Sequence, residues 1–554
     1  MVKPPLTYQK LRGGYYTPRM IANFLAQWAI CSANIRLLEP SCGDGNFLIA
    51  SVDVLARLGV AKKAIPELLT GVELDPNEAH KAISRLNSYG IPVSSEHIIT
   101  ADFFRFCREK LNENKRYDVI LGNPPFIRYQ DFPKDQRIIA LVLIESAGMR
   151  PNRLMNTWVP FLVGSTLLLH DYGRLAMVIP AELLQVNYTA ELRLFLSRHF
   201  SRITLLTFKR LLFEGVQQEV ILLLGEKNGK ERTGIRTIEL DGIEDLKSYE
   251  HTDFSSDEIK PLDHSTEKWT QYFLTNDEIN LLRRFRHDPR LTLLGEVASV
   301  DVGVVTGFND FFVLNKEKRE KYKLGESIIP IVTRSAHLEG IDFSKKDLRI
   351  NMEKNYPVFL LNPPNAPLNE ISNTLRSYIN SGEKKGVNKG YKCRIRKRWY
   401  IVPSVWTPDA FMLRQIHSYP KLILNKTEAT CTDTIHRVKF LKGKIGKKLV
   451  AAFLNSLTFA FSEVVGRSYG GGVLELEPRE AERIPVPLNG SEKLDFKLLD
   501  TIILSKSIDK ALDINDRILL HDNLGLTDTE ISTLRGIWRK LRNRRNERRH
   551  SKKR

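Results

Sequence analysis

Cysteine is scarce in this chain: five in 554 residues (Cys31, Cys42, Cys107, Cys393 and Cys431), odd in number and scattered. None forms a Cys-x-x-Cys or Cys/His ligand spacing, so neither a disulfide framework nor a zinc site is expected, and no metal is called for. Long apolar runs are missing too. The best candidate, Trp158 to Leu169, is too short for a bilayer and contains Pro160 and Gly164. The N-terminus, Met1-Val2-Lys3-Pro4-Pro5, has no apolar signal region after its single lysine. The expectation is a cytoplasmic protein with no membrane partner. There is no convincing internal repeat, and no paired-carboxylate-plus-lysine cluster that would suggest a fused nuclease.

Charge of one sign is plentiful. Lys and Arg number 84 against 65 Asp and Glu, a net of +19. Residues Arg535 to Arg554 hold eleven Lys/Arg and one acid, Glu547, so the last twenty residues carry over half of the excess. A second cluster, Lys384 to Arg398, has eight Lys/Arg, among them Lys392, Arg394 and Arg396, and ends at Trp399-Tyr400. Solvated basic faces are common, but two such clusters together favour a polyanionic partner. An acidic membrane surface would account for the tail and not for the aromatic-flanked inner cluster.

Short apolar runs alternate with amphipathic stretches over the first 230 or so residues. Strands are predicted at Ile35–Leu38, Leu69–Glu73, His97–Thr100, Val119–Leu121, Arg174–Ile179, Ile203–Phe208 and Glu219–Leu224. Helices lie between most of them, such as Asn77–Ser88 and Thr189–His199. That alternation argues an α/β fold with a parallel, doubly wound sheet. Glu226 to Ser265 is polar and reads as a boundary. From Glu267 to Pro487 short β-like runs are separated by Gly, Pro and Asn clusters, which predicts a mixed α/β domain. Ser491 to Arg554 reads as helical, with capping-box spacing at Thr527-Asp528-Thr529-Glu530. Three regions follow: 1–250, 267–490 and 491–554.

The chemistry concentrates in the first region. Asn123-Pro124-Pro125-Phe126 stands just past the apolar run Tyr117–Gly122. Two consecutive prolines fix two φ angles, so the tetrapeptide is a rigid shelf. It offers an amide, a proline carbonyl that only accepts, and an aromatic face, a set suited to gripping a planar amino-bearing group. A turn after a strand is the plainer alternative. Upstream, strand Ile35–Leu38 runs into Glu39-Pro40-Ser41-Cys42-Gly43-Asp44-Gly45-Asn46-Phe47, and a Gly-x-Gly turn between strand and helix lets a ligand approach the backbone. The dinucleotide fingerprint is incomplete, with Leu48 at its third glycine position, which disfavours a nicotinamide enzyme. The next strand ends Glu73-Leu74-Asp75-Pro76, where an acidic residue holds ribose hydroxyls in nucleoside sites. Asp75 reads as a helix cap ahead of Pro76, leaving Glu73 as the ribose ligand. Asp102-Phe103 after the third strand supplies a carboxylate for an exocyclic amine and an aromatic for a purine face. Tyr16-Thr17-Pro18 precedes a helix beginning near Met20.

In this order and spacing the segments resemble the gamma subgroup of S-adenosylmethionine-dependent DNA adenine-N6 methyltransferases of type II restriction–modification systems. The resemblance spans nearly the whole chain. It implies a Rossmann-like class I methyltransferase domain, then a target-recognition domain and a basic helical extension. The cofactor would be S-adenosyl-L-methionine, held by Tyr16, Thr17, Pro18, Glu39, Cys42, Gly43, Gly45, Phe47, Glu73, Asp102 and Phe103. The catalytic motif would be Asn123, Pro124, Pro125 and Phe126; many members have Tyr where Phe126 stands, and only a hydroxyl is lost. A second clamp on the target base matches Phe213. Val305 to Phe312 and Gly466 to Gly472 resemble segments of the recognition region, which puts Arg467 and Tyr469, with Lys392, Arg394 and Arg396, in contact with double-stranded DNA. The implied enzyme flips the target adenine out of the duplex, works as a monomer and pairs with a separate restriction endonuclease. Cytosine-N4 methylation poses the same chemical problem and is the nearest alternative; an RNA or protein-glutamine methyltransferase is the next.

Overall fold

The computed structural model describes residues 17–152, 154–210, 219–228, 233–249, 258–325, 327–441, 443, 445–469 and 472–550. Contacts divide the chain into two compact units. One is Met1–Phe273 with Glu547–Arg554; the other is Leu274–Asn546.

The first unit is built on an eight-stranded sheet: β1 Leu37–Glu39, β2 Leu69–Glu73, β3 Ile98–Thr100, β4 Tyr117–Gly122, β5 Leu169–Pro180, β6 Arg202–Phe208, β7 Val220–Glu226 and β8 Gly234–Leu240. Their order is β3-β2-β1-β4-β5-β7-β6-β8, all pairings parallel except those of β7 with β5 and β6. The order reverses between β1 and β4, where β1 pairs on one side with β2 and on the other with β4. Clefts for ligands form at such a switch, beyond the carboxyl ends of the strands. Both faces are covered, which is why β4, β5 and β7 read as near-continuous Val/Ile/Leu runs rather than alternating ones. Leu37, Val119, Leu121, Ala176 and Val178 form one core with helices α1 Arg19–Ala29, α2 Asn46–Arg57 and α3 Pro76–Ser88. Helices α4 Phe103–Asn112, α5 Lys134–Ser146 and α6 Trp158–Leu168 pack together as a second helical group.

The strands predicted from sequence are present with ends moved by a residue or two, except that β5 begins five residues earlier, at Leu169. One strand was not expected. β8 lies inside the stretch read as a polar boundary; it pairs with β6 from Arg202–Gly234 to Phe208–Leu240. Its apolar residues, Ile235, Ile238 and Leu240, are interrupted by Arg236, Thr237 and Glu239, so no apolar run marks it.

The second unit carries a five-stranded sheet in the order Ala298–Val302, Ile435–Phe440, Ala410–Leu413, Leu422–Asn425, Asp342–Phe343, with three smaller sheets. The helices read as a separate extension belong to it as far as Asn546. Helix Asp528–His550 is capped as its sequence predicts, Thr527 Oγ1 accepting from Glu530 N–H and Glu530 accepting from Thr527 N–H. Trp538 is fully buried on it. Among the described residues no single helix is long and apolar enough to cross a membrane.

Candidate active site

The carboxyl ends of β1, β2 and β4 bring the predicted motifs together. The β1–α2 turn is pinned from below: Cys42 N–H donates to the Val72 carbonyl at 2.9 Å, and Gly45 N–H donates to the Cys42 carbonyl at 2.8 Å. Gly43 and Gly45 both take positive φ, +51° and +85°, which other residues adopt only with strain. A Cβ at Gly43 would meet nothing within 4 Å, so the backbone there borders open space. Gly71 is a matter of packing, since a Cβ would lie 2.9 Å from Ile98 and 3.1 Å from the Cys42 sulfur.

Glu73, at the end of β2, binds the turn directly. Its carboxylate accepts from Gly43 N–H and from Asp75 N–H, both at 2.9 Å. Asp75 caps α3, accepting from Asn77 N–H at 2.7 Å. Asp102 caps α4 in the same way, with Arg105 N–H at 3.0 Å, and burial raises its pKa from the ordinary carboxylate value. Glu39 is buried, and its Oε2 has no hydrogen-bond partner. Burial, reinforced by the charges of Asp44 and Glu73, pushes its carboxyl well above the ordinary range. Arg85 on α3 counterbalances part of this acidic cluster, pairing with the Asp44 carboxylate and donating to the Asp44 carbonyl and to Asn46 Oδ1, each at 2.9 Å.

Asn123 to Phe126 follows β4 directly. Ser41 Oγ donates to the Asn123 carbonyl at 3.3 Å, tying the glycine turn to the shelf. Asn123 Nδ2 donates to Thr17 Oγ1 at 3.2 Å, and the Thr17 carbonyl accepts from Asn46 Nδ2 at 3.3 Å. Thr157, which sequence reasoning missed, staples the far end. Its hydroxyl donates to the Pro125 carbonyl at 2.5 Å and accepts from Ile127 N–H at 2.9 Å, while its own N–H donates to the Ile127 carbonyl. No local pattern around Thr157 signals this; it acts through a contact 32 residues away.

Two expected ligands are turned into the core. Phe103 is buried and stacked on Phe161, centroids 4.7 Å apart at 12°, so its ring packs α4 on α6 and presents no face to a purine. Phe47 is likewise buried in the core beneath α2. Phe126 stays half-buried. Tyr16 and Phe213 lie outside the described residues.

In the second unit, Lys392 and Arg394 are exposed. Arg396 is turned inward instead, donating to the carbonyls of Thr306 at 2.7 Å, Val305 at 3.0 Å and Trp399 at 3.3 Å. Arg467 is paired with the buried Glu480 at 2.9 Å, a contact that holds its strand to the chain behind it. Tyr469 is on the same short strand, its backbone paired with Val473.

These arrangements agree with what the chain resembles. Residues 6–280 match the N-6 DNA methylase family, and residues 266–520 match the C-terminal domain of the type II methyltransferase M.Eco57I. The type II methyltransferase M.AccI of Acinetobacter calcoaceticus is 24% identical over 89% of this chain and 87% of its own. M.XamI of Xanthomonas campestris pv. amaranthicola is 21% identical, covering 87% of this chain and 86% of its own. The type IIL restriction–modification enzyme MmeI, solved in complex with DNA, shares the fold with a TM-score of 0.54 at 13% identity, over 95% of this chain and 75% of that one. Sheet, shelf and glycine turn are thus those of a DNA methyltransferase of the restriction–modification class. More narrowly, the first half of the chain is similar to the N-6 DNA methylase family, and the protein is an adenine-specific DNA methyltransferase.

Proposed function

We propose that this enzyme methylates N6 of an adenine within a specific duplex sequence, after turning that adenine out of the helix onto the Asn123–Phe126 shelf. The carrying observation is that one cleft holds both a rigid acceptor shelf and a glycine turn bordered by carboxylates. S-adenosyl-L-methionine supplies the methyl group. The residues present suit it: a backbone turn open at Gly43, with Glu73 and Asp102 at the ends of neighbouring strands. An ionised carboxylate accepts about four hydrogen bonds, so Glu73 suits ribose hydroxyls as well as the N–H groups of the turn.

The target nitrogen is a poor nucleophile because its lone pair is delocalised into the purine. Asn123 Oδ1 and the Pro124 carbonyl each accept one N–H, drawing the nitrogen toward tetrahedral geometry. Preorganised acceptors of this kind, with correct orientation, account for rate when no covalent intermediate forms. Extruding a base costs a few kcal/mol. Stacking on Phe126, joined by Phe213, offsets it at about 1–3 kcal/mol per aromatic contact. The enzyme acts as a monomer and protects DNA from a cognate endonuclease. Basic side chains, Lys392 and Arg394 among them, hold the DNA backbone.

The test uses purified protein, unmodified plasmid and methyl-labelled S-adenosylmethionine, with nucleoside analysis of the product. Label in N6-methyladenosine that disappears in Asn123→Ala, while that variant still binds the cofactor, is the expected result. Near-normal turnover by Asn123→Ala would overturn the mechanism. Single-molecule sequencing of the same plasmid then yields the target site.

A further inference from the structure

Fourteen large apolar side chains are exposed among the described residues, and four of them fall in two short segments that abut each other: Val305 and Phe308, Tyr391 and Ile395. Phe308 is 49% exposed, Tyr391 66% and Ile395 60%. The contact between the segments is close. Gly307 has φ +85°, and a Cβ there would lie 2.8 Å from Lys392 Cβ and 3.3 Å from the Cys393 sulfur. Only glycine lets the two loops meet in this way.

The projecting group is also held stiffly. Arg396 donates three hydrogen bonds to carbonyls on both sides of the junction, and its guanidinium lies over the Phe312 ring at 5.5 Å from the centroid. Thr306 Oγ1 accepts from Phe308 N–H at 3.2 Å and donates to Asn309 Oδ1 at 2.5 Å, so Phe308 leaves a locked turn. Lys389, Lys392, Arg394 and Lys397 are exposed around it. Apolar projections held in water and rimmed by charge mark binding surfaces. The rim is mainly basic, with four exposed cations against the exposed Asp310 and Glu383, which favours a polyanion.

We infer that Phe308, supported by Ile395 and Tyr391, is an apolar wedge that enters duplex DNA between adjacent base pairs while Lys392 and Arg394 grip the flanking phosphates. The inference rests on the DNA-methylating reading above and adds to it a way of deforming the helix. Wedges of this kind unstack a base step and kink the duplex. Arg396 is a positioning residue in this arrangement, because it fixes the junction and does not reach outward. Specificity then includes the ease with which a given step is opened, beyond any base edge that is read.

The experiment uses the full-length protein and a short duplex containing the target site mapped from the plasmid, labelled at both ends for energy transfer. A second duplex carries 2-aminopurine at successive steps. Wild-type protein is expected to bend the first and to unstack one step in the second. Phe308→Ala should lose both signals and raise KM for DNA at least tenfold, with an unchanged thermal midpoint. Phe308→Leu should retain most of both. Lys392→Ala should instead weaken binding at every step and reduce its salt dependence by about one phosphate contact, leaving the bend of the bound duplex intact. A Phe308→Ala protein that bends and unstacks like wild type overturns the wedge, as does a wild-type enzyme that methylates without deforming DNA. A wild-type protein that sediments as a dimer, with Phe308→Ala monomeric, assigns the patch to self-association and also overturns it. Failure of wild-type protein to methylate any duplex defeats the underlying reading itself, and is told apart by the label assay.

Discussion

Asn123 Nδ2 donates to Thr17 Oγ1 at 3.2 Å across 106 residues of sequence. That bond fixes the orientation of the side-chain amide, with Nδ2 turned to Thr17. Thr17 is therefore a positioning residue for the shelf. Thr17→Val keeps the shape and removes the acceptor. A single hydrogen bond contributes roughly 0.5–1.5 kcal/mol, so a two- to tenfold fall in kcat is expected, with about the same affinity for S-adenosylmethionine. Thr17→Ser should restore kcat. Equal losses in Val and Ser variants would mean that the hydroxyl is not what matters.

The same chain of contacts continues outward. Asn46 donates to the Thr17 carbonyl, and Arg85 donates to Asn46 while pairing with Asp44. Arg85 is over a third exposed, so its ion pair alone contributes little. Its value is in holding the glycine turn and Asn46 in one arrangement. Arg85→Met is expected to raise KM for S-adenosylmethionine by about three- to tenfold through loss of that order, with a smaller effect on kcat. A double-mutant cycle with Asp44→Asn reports whether the two act as a unit: additive losses would remove the network from the account.

Glu39 gives a pH prediction. Burial and the nearby Asp44 and Glu73 raise its folded-state pKa, so the fold favours the protonated carboxyl. Its contribution to stability is full below the ordinary carboxylate range and is lost as pH rises through the raised value. Glu39→Gln retains the bulk and cannot ionise. Without cofactor it is expected to melt higher than wild type in alkaline solution, the gap closing toward acid. Thermal midpoints measured from about pH 5 to pH 9 check this, and parallel curves for the two proteins would refute it.

Much of this site was legible in the sequence because its parts are local. A glycine turn, a proline-fixed shelf and a helix cap each depend on neighbours a few residues apart, so Gly43, Asn123 and Asp75 are recognisable from the chain alone. The direction of a side chain is different. Phe103 follows the capping carboxylate of Asp102 and could face either way; the decision came from Phe161, on a helix more than fifty residues later. Thr157 is invisible for the same reason. β8 was hidden because Arg236, Thr237 and Glu239 interrupt its apolar residues, and Arg396 and Arg467 read as ligands for DNA because a sequence shows charge without showing what already satisfies it.

The basic C-terminal helix makes that last point most strongly, and its prediction is the largest. Arg545 is 2% exposed and paired with Glu463, also 2% exposed, at 3.0 Å; it donates further to the carbonyls of Ile416, His417 and Gly472. One of the eleven tail cations is thus a buried clamp, joining the helix to Glu463 and to the end of the glycine-rich loop. Burial raises the Glu463 carboxyl despite the Arg545 charge, the sign of a site that tolerates ionisation only with its partner in place. Breaking such a pair leaves an uncompensated charge and costs about 3–5 kcal/mol. Arg545→Met should lower the stability of the full chain by that order in denaturant titration. Adding Glu463→Gln should recover part of the loss, since the stranded carboxylate is removed while the three carbonyls stay unserved. No recovery would show that the carbonyl contacts, and not the ion pair, hold the helix in place.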